Sequence, residues 1–435
     1  MALVGFLIVP PEFALVVGWL WSFFADWWWL IAPPVFLFFL HDLWLFALRW
    51  QYFYTLEWTL LEIRPPQIVE RTPQAMEQVF AGLHGMWTNI RPDEKYWKGK
   101  VQNWMSCEIA SVNGETRFFI RVLSKHRNLV EAHVWAQYPD AEILEADDYT
   151  ASVPQDIPGA TWDLWGTEFV LQKPDGYPIR TYIEFEAPVE ERRIDPLSAL
   201  LEVMGSLGPG EQIWFHIIAE PLFDGWKKQG DELVAKLIGR PQATRKGLIA
   251  GVLEATLGEM GKFLLEVLRI GFPQVGPPQA PQKPVRPELP SLMMHLSPGE
   301  KLIVEEIERN ISKLGFRTGI RVAYLAKREV YKAATPSAIY GAIRQFNSAH
   351  LNSFVPNMNV TPSISYLFPK QRNHYRKRYL GRYLRYRLFA RRRFIFNIEE
   401  LATIFHFPGT MVSKAPSVTR MEAKRGEPPQ ALPTA

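Results

Sequence analysis

Residues Trp104–Leu123 read WMSCEIASVNGETRFFIRVL, two alternating runs of nine residues on either side of Asn113-Gly114. Asn-Gly supplies the two positive-φ positions of a type I′ turn, whose twist matches that of paired strands, so the stretch predicts a β-hairpin. On its second strand Phe118, Ile120 and Val122 share one face, which marks a half-buried strand in the interior of a sheet.

Working outward, LEWTLLEIRPP (Leu56–Pro66) predicts a strand stopped by prolines. TPQAMEQVFAGLHG predicts a helix capped by Thr72, with Pro73 in its first position and Gly85 at its close. A helix over His126–Tyr138 and a strand over Ala141–Ala146 complete a β-α-β-β-α-β series, the ferredoxin-like split βαβ with two helices on one face of an antiparallel sheet. A second, interrupted copy follows. Glu168–Gln172 and Ile179–Glu186 predict a strand pair turning at Asp175-Gly176; a helix starts at Asp195-Pro196; EQIWFHIIAE predicts a strongly apolar strand. Its second half is RTGIRVAYLAKREVY, a strand, and TPSAIYGAIRQFNS, a helix capped by Thr335. The interruption holds an amphipathic helix from Arg245 to Phe272, seven prolines between Pro273 and Pro290 that make an extended linker, and a helix capped by Ser297. The fold class is α+β: two ferredoxin-like units behind an N-terminal transmembrane helix or helical hairpin.

Residues 1–48 hold no Lys or Arg, and WWWLIAPPVFLFFLHDLWLFAL (Trp27–Leu48) is 22 residues long. A helix needs about 20 apolar residues to cross a hydrocarbon core of about 30 Å. Trp27, Trp28 and Trp29 at one end and Trp50, Tyr52 and Tyr54 at the other resemble interfacial aromatic belts. Asp42 opposes insertion by roughly 2.5–3.5 kcal/mol at the membrane centre and less near a helix end, which the surrounding Phe and Leu outweigh. Phe13–Ala25 offers a second pass turning at Pro33-Pro34, or an interfacial segment. The lack of a basic n-region and a small-residue cleavage site argues against a cleaved signal peptide. The first cations, Arg49, Arg64 and Arg71, follow the span, so the positive-inside rule places the bulk of the chain on the cytoplasmic side of the inner membrane.

The net charge of +4 hides a division: residues 297–435 carry 24 Lys/Arg against 9 Asp/Glu, and the first 296 carry 25 against 36. The densest stretch is Lys370–Arg393, KQRNHYRKRYLGRYLRYRLFARRR. Its cations are Lys370, Arg372, Arg376, Lys377, Arg378, Arg382, Arg385, Arg387, Arg391, Arg392 and Arg393, interleaved with Tyr375, Tyr379, Tyr383 and Tyr386. Such charge is stable only beside an anion or as a solvated arm. Three readings compete: arginines on phosphates with tyrosines stacked on unpaired bases, an arm lying against anionic lipid, and a solvated or subunit-facing helix.

Chemistry is hard to place. Lys follows Gly only at Lys100 and Lys262, neither before Ser or Thr, so a P-loop is absent. GPGEQ (Gly208–Gln212) precedes a strand and lacks the third glycine of a dinucleotide fingerprint. His126 and His133 have no ligand-spaced partner. Glu184 and Glu186 share a strand face, but Glu190 and Glu191 extend the acidity as a solvated surface. Cys107 is alone, which excludes an intrachain disulfide and fits a small apolar packing role in a reducing compartment. The expectation is a non-enzymatic protein without cofactor or metal.

Several stretches carry a family resemblance: LEWTLLEIRPPQIVERTPQAMEQVFAGLHG, RFFIRVLSKHRNLVEAHVWAQYPDAEI, DPLSALLEVMGSLGPGEQIWFHIIAEP, and NIEELATIFHFPG with the tail SVTRMEAKRGEPPQALP. Together, from about Leu56 to Pro433, the chain resembles the membrane-anchored region that precedes the motor domain in conjugative-transfer ATPases of the HerA/FtsK type, related to type IV secretion coupling proteins. The most specific signature is EELATIFHFP, with Glu399, Glu400, Leu401, Ala402, Thr403, His406 and Pro408. The chain ends at EPPQALPTA, about where such a motor would begin, so motor function is not implied. What the resemblance implies is a membrane-proximal platform partnering a separately encoded motor ATPase; the leading expectation is a membrane-anchored accessory or docking module of a type IV secretion or conjugative DNA-transfer machine, whose basic arm engages DNA or the motor. The alternative is a membrane scaffold whose basic arm binds anionic lipid; either version allows a homo-oligomer. The corresponding divisions are an anchor (1–54), a first α/β domain (55–160), the first half of a second (161–223), the helical and Pro-rich insertion (224–296), the second half (297–369), the basic arm (370–393) and the EELATIFHFP segment with its tail (394–435).

Overall fold

The computed structural model describes residues 11–66, 69, 71–185, 195–223, 225–238, 296–390, 392–409 and 418–420. They fall into two compact units, one made of residues 11–55 with 90–101, the other of the remainder.

The first unit is dominated by α1 (Pro11–Tyr54), 44 residues without a break. The helical-hairpin alternative is thereby corrected: Pro33 and Pro34 lie inside α1. Each removes one N–H and sets its ring against the carbonyl four residues back, a cost that leaves the helix unbroken here. Ala32–Tyr54, 23 residues, is long and apolar enough to cross a membrane. Val35, Phe36, Leu37 and Phe39 are 60–63% exposed, unlike the side chains of a core helix. Near the end of α1, Trp44 meets Trp97 of the short helix Pro92–Trp97 edge to face, with ring centroids 5.6 Å apart.

The second unit is built on a single nine-stranded antiparallel sheet: β1 (Trp58–Arg64), β2 (Met105–Val112), β3 (Glu115–Leu123), β4 (Glu142–Glu145), β5 (Trp162–Leu171), β6 (Glu211–Pro221), β7 (Gly315–Lys327), β8 (Phe354–Pro356) and β9 (Phe394–Asn397). The order is β4-β1-β3-β2-β6-β7-β5-β8, with β9 paired to β7 at Gly315–Thr318. Outward from the β2·β6 seam, each side places its second, third, first and fourth strands in the same succession. The β2–β3 hairpin forms as expected, with Asn113 at φ 55 and Gly114 at φ 91.

Two expectations change. The halves do not form separate sheets: β2 and β6 pair from Met105↔Ala219 to Val112↔Gln212. The reason lies in β6, buried at all eleven positions. Such a strand left at an edge would expose apolar surface and unpaired amides together. The strand expected over Ile179–Glu186 is absent as far as residue 185, where Tyr182–Phe185 is one helical turn. Instead β5 starts earlier, at Trp162, and pairs with β7 and β8. The helix expected over Arg245–Phe272 and the Pro-rich linker lie outside the described residues.

Besides the single turn Tyr182–Phe185, the described α-helices of this unit are α2 (Pro73–Leu83), α3 (Arg127–Gln137), α4 (Ser198–Gly205), α5 (Gly225–Leu237), α6 (Pro298–Ile311), α7 (Thr335–Ile343), α8 (Pro369–Arg385) and α9 (Ile398–Ile404). Strand side chains alternate between two faces. On one, Met105, Cys107 and Ile109 of β2, Phe118, Ile120 and Val122 of β3, and Ile213, Phe215 and Ile217 of β6 join the core under α2, α3, α4, α7 and α9. On the other, Leu60, Ala110, Phe119, Trp214, Ala323 and Leu325 form a second core with Leu380 and Leu384 of α8. One helix therefore covers much of the face that a two-layer fold leaves to solvent.

At Gly114 a Cβ would stand 2.7 Å from the Leu207 carbonyl oxygen, on top of its left-handed φ. Gly114→Ala is expected to destabilise the sheet by about 1–3 kcal/mol, measured as a lowered denaturation midpoint; an unchanged midpoint contradicts this account of the turn.

Candidate anion-binding face and the ion network beneath it

α8 begins at Pro369, the residue type whose missing N–H costs nothing in a first turn. Its 17 residues contain no acid, and the helix is held by what it does with its inner face. Leu380 and Leu384, one turn apart, are fully buried. Lys377 Nζ reaches Asp163 Oδ1 at 2.6 Å. The Arg376 guanidinium donates to the Thr361 carbonyl, and Arg385 Nη2 donates to the carbonyls of Val153 and Pro154 at 2.9 and 3.1 Å. Tyr379 and Tyr383 stack on each other with centroids 4.0 Å apart.

Just beyond the helix, Arg387 turns back into the sheet at φ 49 and has no exposed surface. Its Nε and Nη2 donate to Glu108 Oε1 and Oε2 at 3.0 and 3.1 Å, and its Nη2 to Asp148 Oδ1 at 2.9 Å. Tyr149 Oη donates to Glu108 Oε2 and lies 2.6 Å from His216 Nε2. Along the same face Arg321 pairs with Glu168 at 2.6 Å and donates to the carbonyls of Tyr383 and Leu388, closing the end of α8. Burial opposes the charge on Glu108, but the Arg387 guanidinium, the His216 ring and the Tyr149 hydroxyl together outweigh it and hold the carboxyl well below the usual range. Burial pushes the His216 ring down to about 4, so it is neutral at pH 7. Burial also lowers Arg121, close by, to about 10.

Arg387 is thus removed from the residues able to meet an outside anion, and the basic stretch is corrected from an emergent arm to a docked helix. Its hydrophobic stripe and its ion partners explain the docking. What α8 leaves outside is a second stripe at four-residue spacing: Lys370, His374, Arg378, Arg382 and Tyr386, all exposed, with Tyr375 beside it at 68% exposure. A helix rises about 1.5 Å per residue, so these positions recur about every 6 Å. Arg372 is half-buried, its guanidinium over the Tyr366 ring at 5.0 Å. Arg392 and Arg393 are exposed, Arg393 near Glu220 at 3.4 Å. Arg391 lies outside the described residues.

The EELATIFHFP residues lie apart from this face and turn inward. α9 starts with a capping box between Asn397 and Glu400. Glu400 Oε1 also accepts from the Ile179 amide at 3.0 Å; burial pushes its carboxyl up to about 8 against the pull of these N–H groups. Glu399 pairs with Lys313 at 2.7 Å and Arg309 at 3.3 Å. Thr403 accepts from the Tyr182 amide, and His406 Nε2 lies 3.2 Å from Asp195 Oδ1. Leu401 and Ala402 are core residues, and Pro408 is buried at the end of the segment. These residues fasten distant segments together; they present no open site.

The sequence reading missed Glu108, Asp148, Tyr149, His216, Glu168 and Arg321. The legible signal was a charged or titratable residue at a core-facing position of a strand such as IWFHIIAE. Among the described residues no three His, Cys, Asp or Glu side chains are grouped to hold a metal ion. No family model matches the chain, and no curated protein matches it.

Breaking a buried pair strands the partner charge, so Arg387→Ala is expected to cost about 3–5 kcal/mol, while Arg378→Ala on the outer stripe stays within about 0.5; equal effects in chemical denaturation contradict the division of α8 into two faces. The pH dependence has a definite sign. Both His216 and Glu108 are depressed, so each contributes stability above its unfolded value and loses it as pH falls. Stability should drop from about pH 6.5 as His216 is forced to charge, and further below about pH 4.3 as Glu108 protonates. His216→Gln should flatten the upper limb of the midpoint-against-pH curve; a curve of unchanged slope rules the histidine out.

Proposed function

We propose that this chain is a non-enzymatic, membrane-anchored docking module of a type IV secretion or conjugative DNA-transfer machine, presenting a face for single-stranded nucleic acid beside a separately encoded motor ATPase. The observation that carries the reading is the outer stripe of α8. The helix spends Arg376, Lys377, Arg385 and the adjoining Arg387 on its own attachment, yet keeps Lys370, Arg378 and Arg382 facing water with no acid in the helix. Like charges so spaced repel, and a polyanion relieves the repulsion by releasing its counterions. Tyr375 and Tyr386 supply exposed rings on which unpaired bases can stack.

The rest of the chain supports a platform. We read each half of the sheet as a ferredoxin-like unit and the whole as two such units fused edge to edge, a broad rigid base for one functional helix. Glu108 and His216, two groups whose protonation is strongly perturbed, are sealed from solvent, which favours a structural over a catalytic use. The exposed apolar side chains of Ala32–Tyr54 favour insertion in the inner membrane, with the positive-inside rule placing the sheet unit in the cytoplasm.

The test uses the full-length chain in discs of neutral lipid, titrated with a fluorescent single-stranded oligonucleotide across a range of salt. Each phosphate contact contributes about −0.7 to the log–log salt slope, so Arg378→Ala, Arg382→Ala and Arg392→Ala together should reduce its steepness by about 2. A flat salt dependence, or a triple variant that binds like the parent, rejects the nucleic-acid face; co-purification with the motor tests the machine.

A further inference from the structure

The segment leading into α8 has a feature that nucleic-acid binding does not use. Tyr366, Leu367 and Phe368 are 62%, 71% and 71% exposed, three successive large side chains at one protruding tip. Leu367 and Phe368 both sit at positive φ, 41° and 54°, a conformation that residues with a Cβ adopt at a cost. The tip has not simply failed to fold back, because its base is fastened. The Asn373 side chain both donates to and accepts from the backbone of Ile364, each at 2.9 Å. Ile364 is itself buried, and Arg376 holds the carbonyl of Thr361 three residues earlier. The loop is built to point these side chains outward.

Cations follow the tip along α8. Lys370 is exposed two residues on, the Arg372 guanidinium lies over the Tyr366 ring, and Arg378 and the exposed ring of Tyr375 follow on the outer stripe. From Val330 to Ile398 the chain carries no Asp or Glu. A convex apolar point, an aromatic collar and flanking cations match the successive layers of a bilayer surface: acyl chains, interfacial zone and anionic headgroups. A partner protein would have to supply a fitted cavity for the point, and a nucleic-acid strand offers base faces to the two rings but no continuous apolar layer for all three side chains together.

We propose that Tyr366, Leu367 and Phe368 dip into the interfacial layer of a membrane containing anionic phospholipid, with Lys370, Arg372 and Arg378 on its headgroups. This contact shares with the proposed function the anchor, which would keep a bilayer within reach, and the cations Lys370 and Arg378, which it assigns to headgroups; the three residues of the tip are its own.

The single native thiol, Cys107, has no exposed surface. Phe368→Cys can therefore be labelled selectively with an environment-sensitive fluorophore in the full-length chain, with Glu329→Cys on an exposed turn as the reference. Both are placed in discs of phosphatidylcholine alone or mixed with phosphatidylglycerol, with nitroxide-bearing lipid as quencher. The expected result is a blue-shifted label at 368, quenched on the order of twofold more than at 329, in the anionic discs only. Quenching at 368 no greater than at 329 overturns the contact. Equal quenching in neutral discs overturns the role given to the cations. A label shielded by added single-stranded DNA but not quenched by lipid assigns the tip to nucleic acid and also overturns the proposal. Failure of the chain to enter discs at all counts against the anchor; vesicles of the same two compositions then carry the same quenching comparison and decide on the tip.

Discussion

A guanidinium sealed between two carboxylates governs this fold. Glu108 lies on β2 at the seam with β6, opposite His216, on the face of the sheet away from most of the helices. A carboxylate there must either stay wet or find a cation, because an unpaired buried charge costs several kcal/mol. Arg387 is that cation, more than 270 residues further along the chain. Once it is seated, the end of α8 is fixed, Leu380 and Leu384 meet the second apolar core, and the rotation of the helix is decided. The same rotation chooses which arginines remain outside. An internal salt bridge thus determines the composition of an external surface.

This dependence explains what could and could not be read in advance. The hairpin was legible because Asn113-Gly114 dictates its own backbone, and β1, α2, α3 and β4 because caps, prolines and apolar spacing act within a few residues. The seam was not. Nothing local in MSCEIASV or EQIWFHIIAE names the partner strand, and an apolar run says only that both faces of the strand are covered. β8 has three residues and β9 four, too few for a period to show. The basic stretch had a legible sign and helical spacing, but its division into inner and outer stripes depends on Glu108, Asp148 and Asp163, which lie far away in sequence.

The EELATIFHFP segment carries a related lesson. Its polar residues have the look of a site, yet each is spent on a specific internal partner: Glu400 on the Ile179 amide, Thr403 on the Tyr182 amide, His406 on Asp195, Glu399 on Lys313 and Arg309. Irregular chain crossing the surface of a core leaves amides that no ladder satisfies, and side chains from a capped helix can satisfy them. A stretch of unusual polar pattern inside an apolar context can therefore mark a clasp as readily as a reactive centre.

Cys107 has its own consequence. It sits on β2 opposite Ile217 of β6, and burial pushes its thiol far above the ordinary range. Thiolate is the reactive form, so the residue is chemically silent while the seam is closed. Any excursion that parts β2 from β6 restores an ordinary thiol and starts its reaction with solvent-borne reagents. The chain thus carries a built-in clock, placed at its midline, that counts openings of the sheet and is blind to fraying at either rim.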